Sequence, residues 1–163
     1  MLIQPATVED AEELTDLHLD TWEEAYADLM PASVFVERRE GRSERIARWR
    51  EILAGSASSS LLARSDSRRL IGFASTGPGR DLDATDLPAL ELMALYVRAE
   101  TYGTGIGDRL MDAAIGSAPA YLWVLEGNAR AIRFYERHGF VFDGATTEES
   151  FGVERRMVRP LGD

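Results

Sequence analysis

The stretch Glu91–Leu110, ELMALYVRAETYGTGIGDRL, constrains the fold of this chain more than any other. Glu91 to Val97 is an apolar run headed by one acid and bounded by Pro88 and Arg98, with the length and aromatic content of a buried strand. Gly103-Thr104-Gly105-Ile106-Gly107 follows, with glycines at alternate positions. Ile106, Leu110, Met111, Ala114 and Ile115 then recur at helical spacing. The order is strand, glycine turn, helix. Glycines admit positive φ and let a ligand approach the backbone closely. Free amides at a helix N-terminus, reinforced by the helix dipole, favour an anion there. The segment reads as a phosphate cradle.

Two familiar cradles are excluded by the residues themselves. A P-loop places Lys after its last glycine, and all 18 basic residues here are Arg. A dinucleotide fingerprint requires G-x-G-x-x-G, but Asp108 stands where the third glycine belongs.

Around this centre the chain reads as strands interleaved with helices. Leu2-Ile3 is a short strand stopped by Pro5. Thr7 and Asp10 cap an amphipathic helix carrying Leu14, Leu17, Trp22, Ala25 and Leu29 and ending before Pro31. Ala32–Arg38 is a second helix, and Ser43 is expected to cap a third. Leu61–Ala63 and Leu70–Ser75 form a hairpin over Ser65-Asp66-Ser67, and Tyr121–Leu125 is another buried strand. Asn128 caps a helix stopped by Gly139; Phe140–Phe142 and Phe151–Val158 close the chain, with Asp143-Gly144 as turn material. The pattern is mixed α/β, expected as one domain over 1–163.

Composition limits the partners. The formal net charge of −10 argues against nucleic acid and against an anionic membrane, and no apolar run approaches the ~20 residues of a membrane span. The charge suits a cationic substrate such as an amine, and an acidic surface kept for solubility explains it equally. With no Cys, thiolate metal sites and thiol nucleophiles are excluded, and no metal is expected. The first residues lack the basic and apolar regions of a signal peptide, so the expected location is cytoplasmic.

The turn after the strand resembles motif A of the GCN5-related N-acetyltransferases (the GNAT family), Gln/Arg-x-x-Gly-x-Gly/Ala, with Tyr102 in place of Gln or Arg and the final glycines at Gly105 and Gly107. A second stretch, Asn128 to Phe140, is similar to motif B of that family, Asn-x-x-Ala-x-x-Phe-Tyr-x-x-x-Gly-Phe, at every core position. The resemblance implies a mixed, mostly antiparallel central sheet flanked by helices. It implies acetyl-CoA as cofactor and, as the reaction, direct attack of a primary amine of a small molecule or peptide in a ternary complex. The backbone of Leu95, Tyr96 and Val97 would meet the pantetheine arm and offer an N–H to the developing oxyanion. Tyr102, Gly103, Thr104, Gly105, Ile106 and Gly107 would hold the pyrophosphate, and Asn128 would add a polar contact to its capping role. Tyr135 would protonate the leaving thiolate as general acid, since a phenol of pKa ~10 keeps its proton at neutral pH.

An alkylammonium of pKa near ~10 is neutral in about one molecule in a thousand at pH 7, a deficit of roughly 4 kcal/mol, so a base is needed. Glu91 is the candidate, as the one acid in its strand and at the end away from the phosphate turn. An inert acid at a strand mouth, with a water chain as base, is the alternative. Trp22 and Tyr26, one helical turn apart, are candidate walls of the acceptor pocket, although that spacing is also core spacing. Asp81, Asp83 and Asp86 precede the Glu91 strand and could attract a cation, and a solvated loop explains them equally; His18 and His138 read as structural. Two other functions fit the same motifs: a non-catalytic acyl-CoA-binding regulator and a protein–protein module. A homodimer is an assembly the sequence leaves open.

Overall fold

The computed structural model describes residues 1–81 and 85–160. Seven strands make one sheet: β1 (Leu2–Pro5), β2 (Ser59–Arg64), β3 (Leu70–Pro78), β4 (Leu90–Val97), β5 (Ala120–Leu125), β6 (Val141–Glu149) and β7 (Gly152–Arg159). Their spatial order is β1-β2-β3-β4-β5-β7-β6. Every neighbouring pair is antiparallel except β4 and β5. The expected mixed, mostly antiparallel architecture is what the chain adopts.

Helices cover both faces. On one side α1 (Ala11–Tyr26), α2 (Ala32–Glu40) and α3 (Arg42–Ala54) pack through Leu14, Leu17, Trp22, Tyr26 and Phe35. On the other, α4 (Ile106–Ile115) and α5 (Ala129–Arg137) meet Leu92, Leu122, Val124 and Met157. Leu110 and Met111 of α4 are fully buried, and each such side chain contributes roughly 1.5–3 kcal/mol relative to exposure.

One irregularity shapes everything that follows. Leu92 and Ala94 pair with consecutive residues of β3, Thr76 and Ser75, so Met93 is the extra residue of a β-bulge. A bulge bends its strand and increases the local twist. Beyond it β4 leaves β5: the parallel pairing is recorded at Glu91↔Tyr121 alone. The edge of β4 from Leu92 to Val97 that faces β5 therefore has no strand partner among the described residues.

Three details differ from the sequence reading. The first helix ends at Tyr26, not Leu29, because the Tyr26 carbonyl takes the amides of both Leu29 and Met30 at 2.9 and 3.0 Å and closes the chain in a turn before Pro31. Ser43 is not the cap of α3. Gly41 ends α2 and starts α3, with Arg45 N–H donating to its carbonyl at 3.1 Å. Asp143-Gly144 is not the closing turn but a bulge inside β6, where the register skips from Phe142 to Thr146 and Gly144 has φ 93°. The Asp143 carboxylate accepts the Ala145 N–H at 2.9 Å, a local bond that serves a bulge as readily as a turn. The turn itself is Ser150-Phe151.

Candidate active site

The divergence of β4 from β5 opens a cleft. Leu95, Tyr96 and Val97 line one wall, Trp123 and Val124 of β5 the other, and Asn128, Phe134 and Tyr135 of α5 close its side. α5 stands there because Asn128 caps it, the side-chain oxygen accepting the Ala131 N–H at 3.2 Å. The residues expected to meet a pantetheine arm are thus brought together around unpaired strand edge.

At the α4 end of the cleft lies the glycine turn. Gly103 and Gly105 have φ of 76° and 82°, values an L side chain rarely adopts, and no atom lies within 4 Å of where their Cβ would be. Gly107 differs: a Cβ there would sit 3.2 Å from the Phe134 ring, so this glycine lets α4 approach α5. The amides of Gly103, Gly105, Ile106, Gly107 and Asp108 reach no backbone carbonyl among the described residues. These residues line a cavity of about 300 Å³.

Three residues of this cavity were not singled out from sequence. Arg130, Arg133 and Arg137 line it from α5, and none is ion-paired among the described residues. Their i, i+3, i+7 spacing on a helix that packs beside a phosphate cradle was the available signal. Arg130 stacks on the Tyr102 ring with its guanidinium carbon 3.7 Å from the centroid. Tyr102 occupies the position where motif A usually carries Gln or Arg, and its buried hydroxyl has no partner among the described residues. The cationic group missing at residue 102 is present beside it, supplied by another helix.

Glu91 sits at the other end of β4, 1% exposed. Its carboxylate accepts the Arg80 backbone N–H at 3.0 Å, the Arg80 side-chain Nε at 3.1 Å and the Tyr121 hydroxyl at 3.2 Å. Glu91 does not itself line the cleft. Arg80, whose side chain is 66% exposed, was also missed, because an arginine eleven positions upstream in a loop carries no local pattern. Nearby, Asp81 accepts from Trp123 Nε1 at 3.2 Å and pairs with Arg156 at 2.8 Å, which makes it a tether. Asp83 lies outside the described residues. A further carboxylate, Glu154, stands opposite Leu125 on β7; burial and the neighbouring Glu149 raise its pKa above the usual range.

Tyr135 lines the cleft, and burial, reinforced by Tyr26, pushes its phenol well up. The Tyr26 and Tyr96 hydroxyls are 3.1 Å apart, and burial raises both. These phenols hold their protons throughout the neutral range. His18, wedged against Trp49, Phe73 and Tyr96, is pushed down to about 3 by burial and by Arg38 and Arg45, so it is a neutral core group. The two aromatic residues read together as acceptor walls part company: Tyr26 faces the cleft, whereas Trp22 lines a separate pocket with Arg38 and Phe151.

Among the described residues no helix is long and apolar enough to cross a membrane, and no cluster of metal-ligating side chains occurs. Residues 12–140 match the model of the acetyltransferase (GNAT) family. An uncharacterized N-acetyltransferase of Mycobacterium tuberculosis is 34% identical over 107 residues, 62% of this chain and 64% of that protein. The spermine/spermidine N(1)-acetyltransferase of Bacillus subtilis is 32% identical over 100 residues, 56% of this chain and 64% of that protein. The chain thus spans 64% of the length of each of these two relatives. In fold it is similar to the PaiA N-acetyltransferase of Thermoplasma acidophilum in complex with coenzyme A, with TM-score 0.67, 22% identity and coverage of 96% of this chain and 98% of that one. With the family matched across both motifs, the splayed strand and the glycine cradle, the chain belongs to the acetyltransferase (GNAT) family.

Proposed function

We propose that the protein transfers the acetyl group of acetyl-CoA to an amine in a ternary complex. The observation that carries this reading is the placement of Tyr135 in a cleft beside the unpaired β4 edge, next to a glycine turn whose cavity three arginines of α5 line. The site fits the cofactor: Gly103 and Gly105 leave open space where a side chain would stand, and the buried Tyr102 hydroxyl lacks a partner among the described residues. Residues 103–107 with Arg130, Arg133 and Arg137 would hold the phosphates, and Leu95, Tyr96, Val97 and Asn128 the pantetheine. Acetyl-CoA supplies an acetyl group activated as a thioester. Tyr135 holds a proton at its phenol oxygen for the departing sulfur. The test is release of free thiol from acetyl-CoA across a panel of amines that includes spermine and spermidine. Binding of acetyl-CoA without release to any amine would instead identify a non-catalytic acyl-CoA-binding regulator.

Two carboxylates compete for the role of base. Glu91 takes the amine's proton through water once the exposed Arg80 side chain swings aside. Glu154 offers a second reading, since a raised pKa brings a carboxylate closer to the operating pH. The expected result is that Glu91→Gln lowers kcat by about 10²-fold while Glu154→Gln changes it little. The reverse order moves the role to Glu154. In that case the acidic limb of the kcat profile lies above the ordinary carboxylate range, because a raised pKa keeps the base protonated to higher pH.

The arginines make a separate prediction. Arg133→Ala and Arg137→Ala together weaken coenzyme A binding by roughly 10-fold at low salt, and the loss shrinks as ionic strength rises. Calorimetry in two salt concentrations reads both effects.

A further inference from the structure

The two cavities flank one aromatic wall. Trp22 and Tyr26 pack edge to face with ring centroids 4.9 Å apart; Tyr26 faces the cleft and Trp22 faces the second pocket. That second pocket, about 640 Å³, lies between α2, α3 and the β6–β7 turn. It has the size of a small-molecule site. Its lining is basic: Arg38, Arg45 and Arg48, none of them ion-paired among the described residues of a chain with net charge −10.

Neutralisation was close at hand and was not used. Glu37 and Glu44 also line the pocket, both exposed, and neither pairs with these arginines. Elsewhere on the same helices Arg39 pairs with Asp20 and Glu23, and Arg42 with Asp16. Arg38, Arg45 and Arg48 have no such counter-charge among the described residues. Two of them are held by contacts. The Arg38 guanidinium stacks on Trp22 with its carbon 3.6 Å from the ring centroid, and Arg45 Nε donates to the Arg38 carbonyl at 3.3 Å. Arg38 Nε is buried with no acceptor among the described residues, and an unmade bond of that kind is unfavourable until something supplies one. Burial and Arg45 press Arg38 down to about 10, the response of a cation lacking an anion. Planar guanidinium forks match carboxylate and phosphate oxygens two at a time.

We propose that this pocket binds the anionic end, carboxylate or phosphate, of a small amine. The assignment rests on the acetyl-transfer reading for what happens to the nitrogen, and on the pocket alone for the anion. It disfavours polyamines, which carry charge of the wrong sign to this surface.

The test measures calorimetric binding to the coenzyme A-loaded protein of glycylglycine against glycylglycinamide, and of O-phosphoethanolamine against ethanolamine. At least one probe is expected to bind 10-fold or more tighter than its counterpart without the anionic group, and the pair that shows it tells carboxylate from phosphate. In the double variant Arg45→Gln/Arg48→Gln that preference falls to near one. Arg48→Glu alone, at an exposed helical position, does the same if the double variant melts early. Equal binding within both pairs, tighter binding of spermidine, or a preference that survives the arginine variants overturns the proposal. Thiol release is followed on the same samples. Anion-dependent binding without release supports the pocket and counts against acetyl transfer to these amines; release to glycylglycinamide, ethanolamine or the polyamines alone keeps acetyl transfer and overturns the proposal.

Discussion

Tyr135→Phe is expected to cut kcat by about 10²-fold and to leave the dissociation constant of coenzyme A within about twofold. The asymmetry follows from what the substitution removes. The ring packs with Phe134 and Phe140, at centroid distances of 5.5 and 6.0 Å, and phenylalanine keeps those contacts. The proton is what disappears. In the intact protein burial pushes the phenol up, so its neutral form persists from acidic through moderately alkaline pH. A group whose neutral form is favoured donates at every working pH below its raised pKa. The basic limb of the wild-type profile therefore belongs to another group, and the variant is slower by a similar factor across the neutral range. Steady-state kinetics and calorimetry on the same preparation read the two quantities. A kcat equal to wild type would remove Tyr135 from proton transfer, whatever happened to binding.

The parts of this site that were legible in the sequence are those written in local pattern. Gly103 and Gly105 announce a turn because a need for positive φ is a local property of the chain. Asn128 announces its helix because a cap acts three residues ahead. Fold class followed from the alternation of such segments. What stayed hidden depends on pairing at long range. The partner of Glu91 is Arg80, eleven positions away across a loop, and nothing in either segment specifies the other. The bulge at Met93, which opens the cleft, exists in the register between two strands and not in either strand. Asp143-Gly144 shows the converse: the same dipeptide chemistry serves a turn and a bulge, and the tertiary register decides between them.

Charge was the least legible property. A total of −10 is compatible with a cationic substrate and equally with a solubilising surface, yet two cavities are lined by six arginines without ion pairs among the described residues: Arg130, Arg133 and Arg137 in one, and Arg38, Arg45 and Arg48 in the other. Net charge sums over the surface, whereas a ligand responds to charges within about a Debye length, roughly 8 Å at physiological ionic strength. Acidic residues spread over the exterior coexist with cationic interiors because the fold sorts them. The sorting is visible on α2, where Arg38 turns into a pocket and Arg39, its neighbour, turns to Asp20 and Glu23.

Gly105→Val is expected to weaken coenzyme A binding by about 10²-fold or more, equivalent to roughly 3 kcal/mol. Two effects contribute and they are separable. At φ 82° a β-branched residue is strained by about 1–3 kcal/mol, which lowers the melting temperature of the free protein by several degrees. The side chain also fills open space, since no atom lies within 4 Å of its Cβ, and that space is where an anion meets the free amides of the turn. Gly144→Val isolates the first effect. Gly144 has φ 93° and equally open surroundings, but it lies in the β6 bulge and lines neither cavity. Both variants should melt lower than wild type by similar amounts, and Gly105→Val alone should lose the cofactor. Comparable affinity in the two would mean that strain, not occupancy of the turn, governs binding, and residues 103–107 would then no longer be the site of the diphosphate.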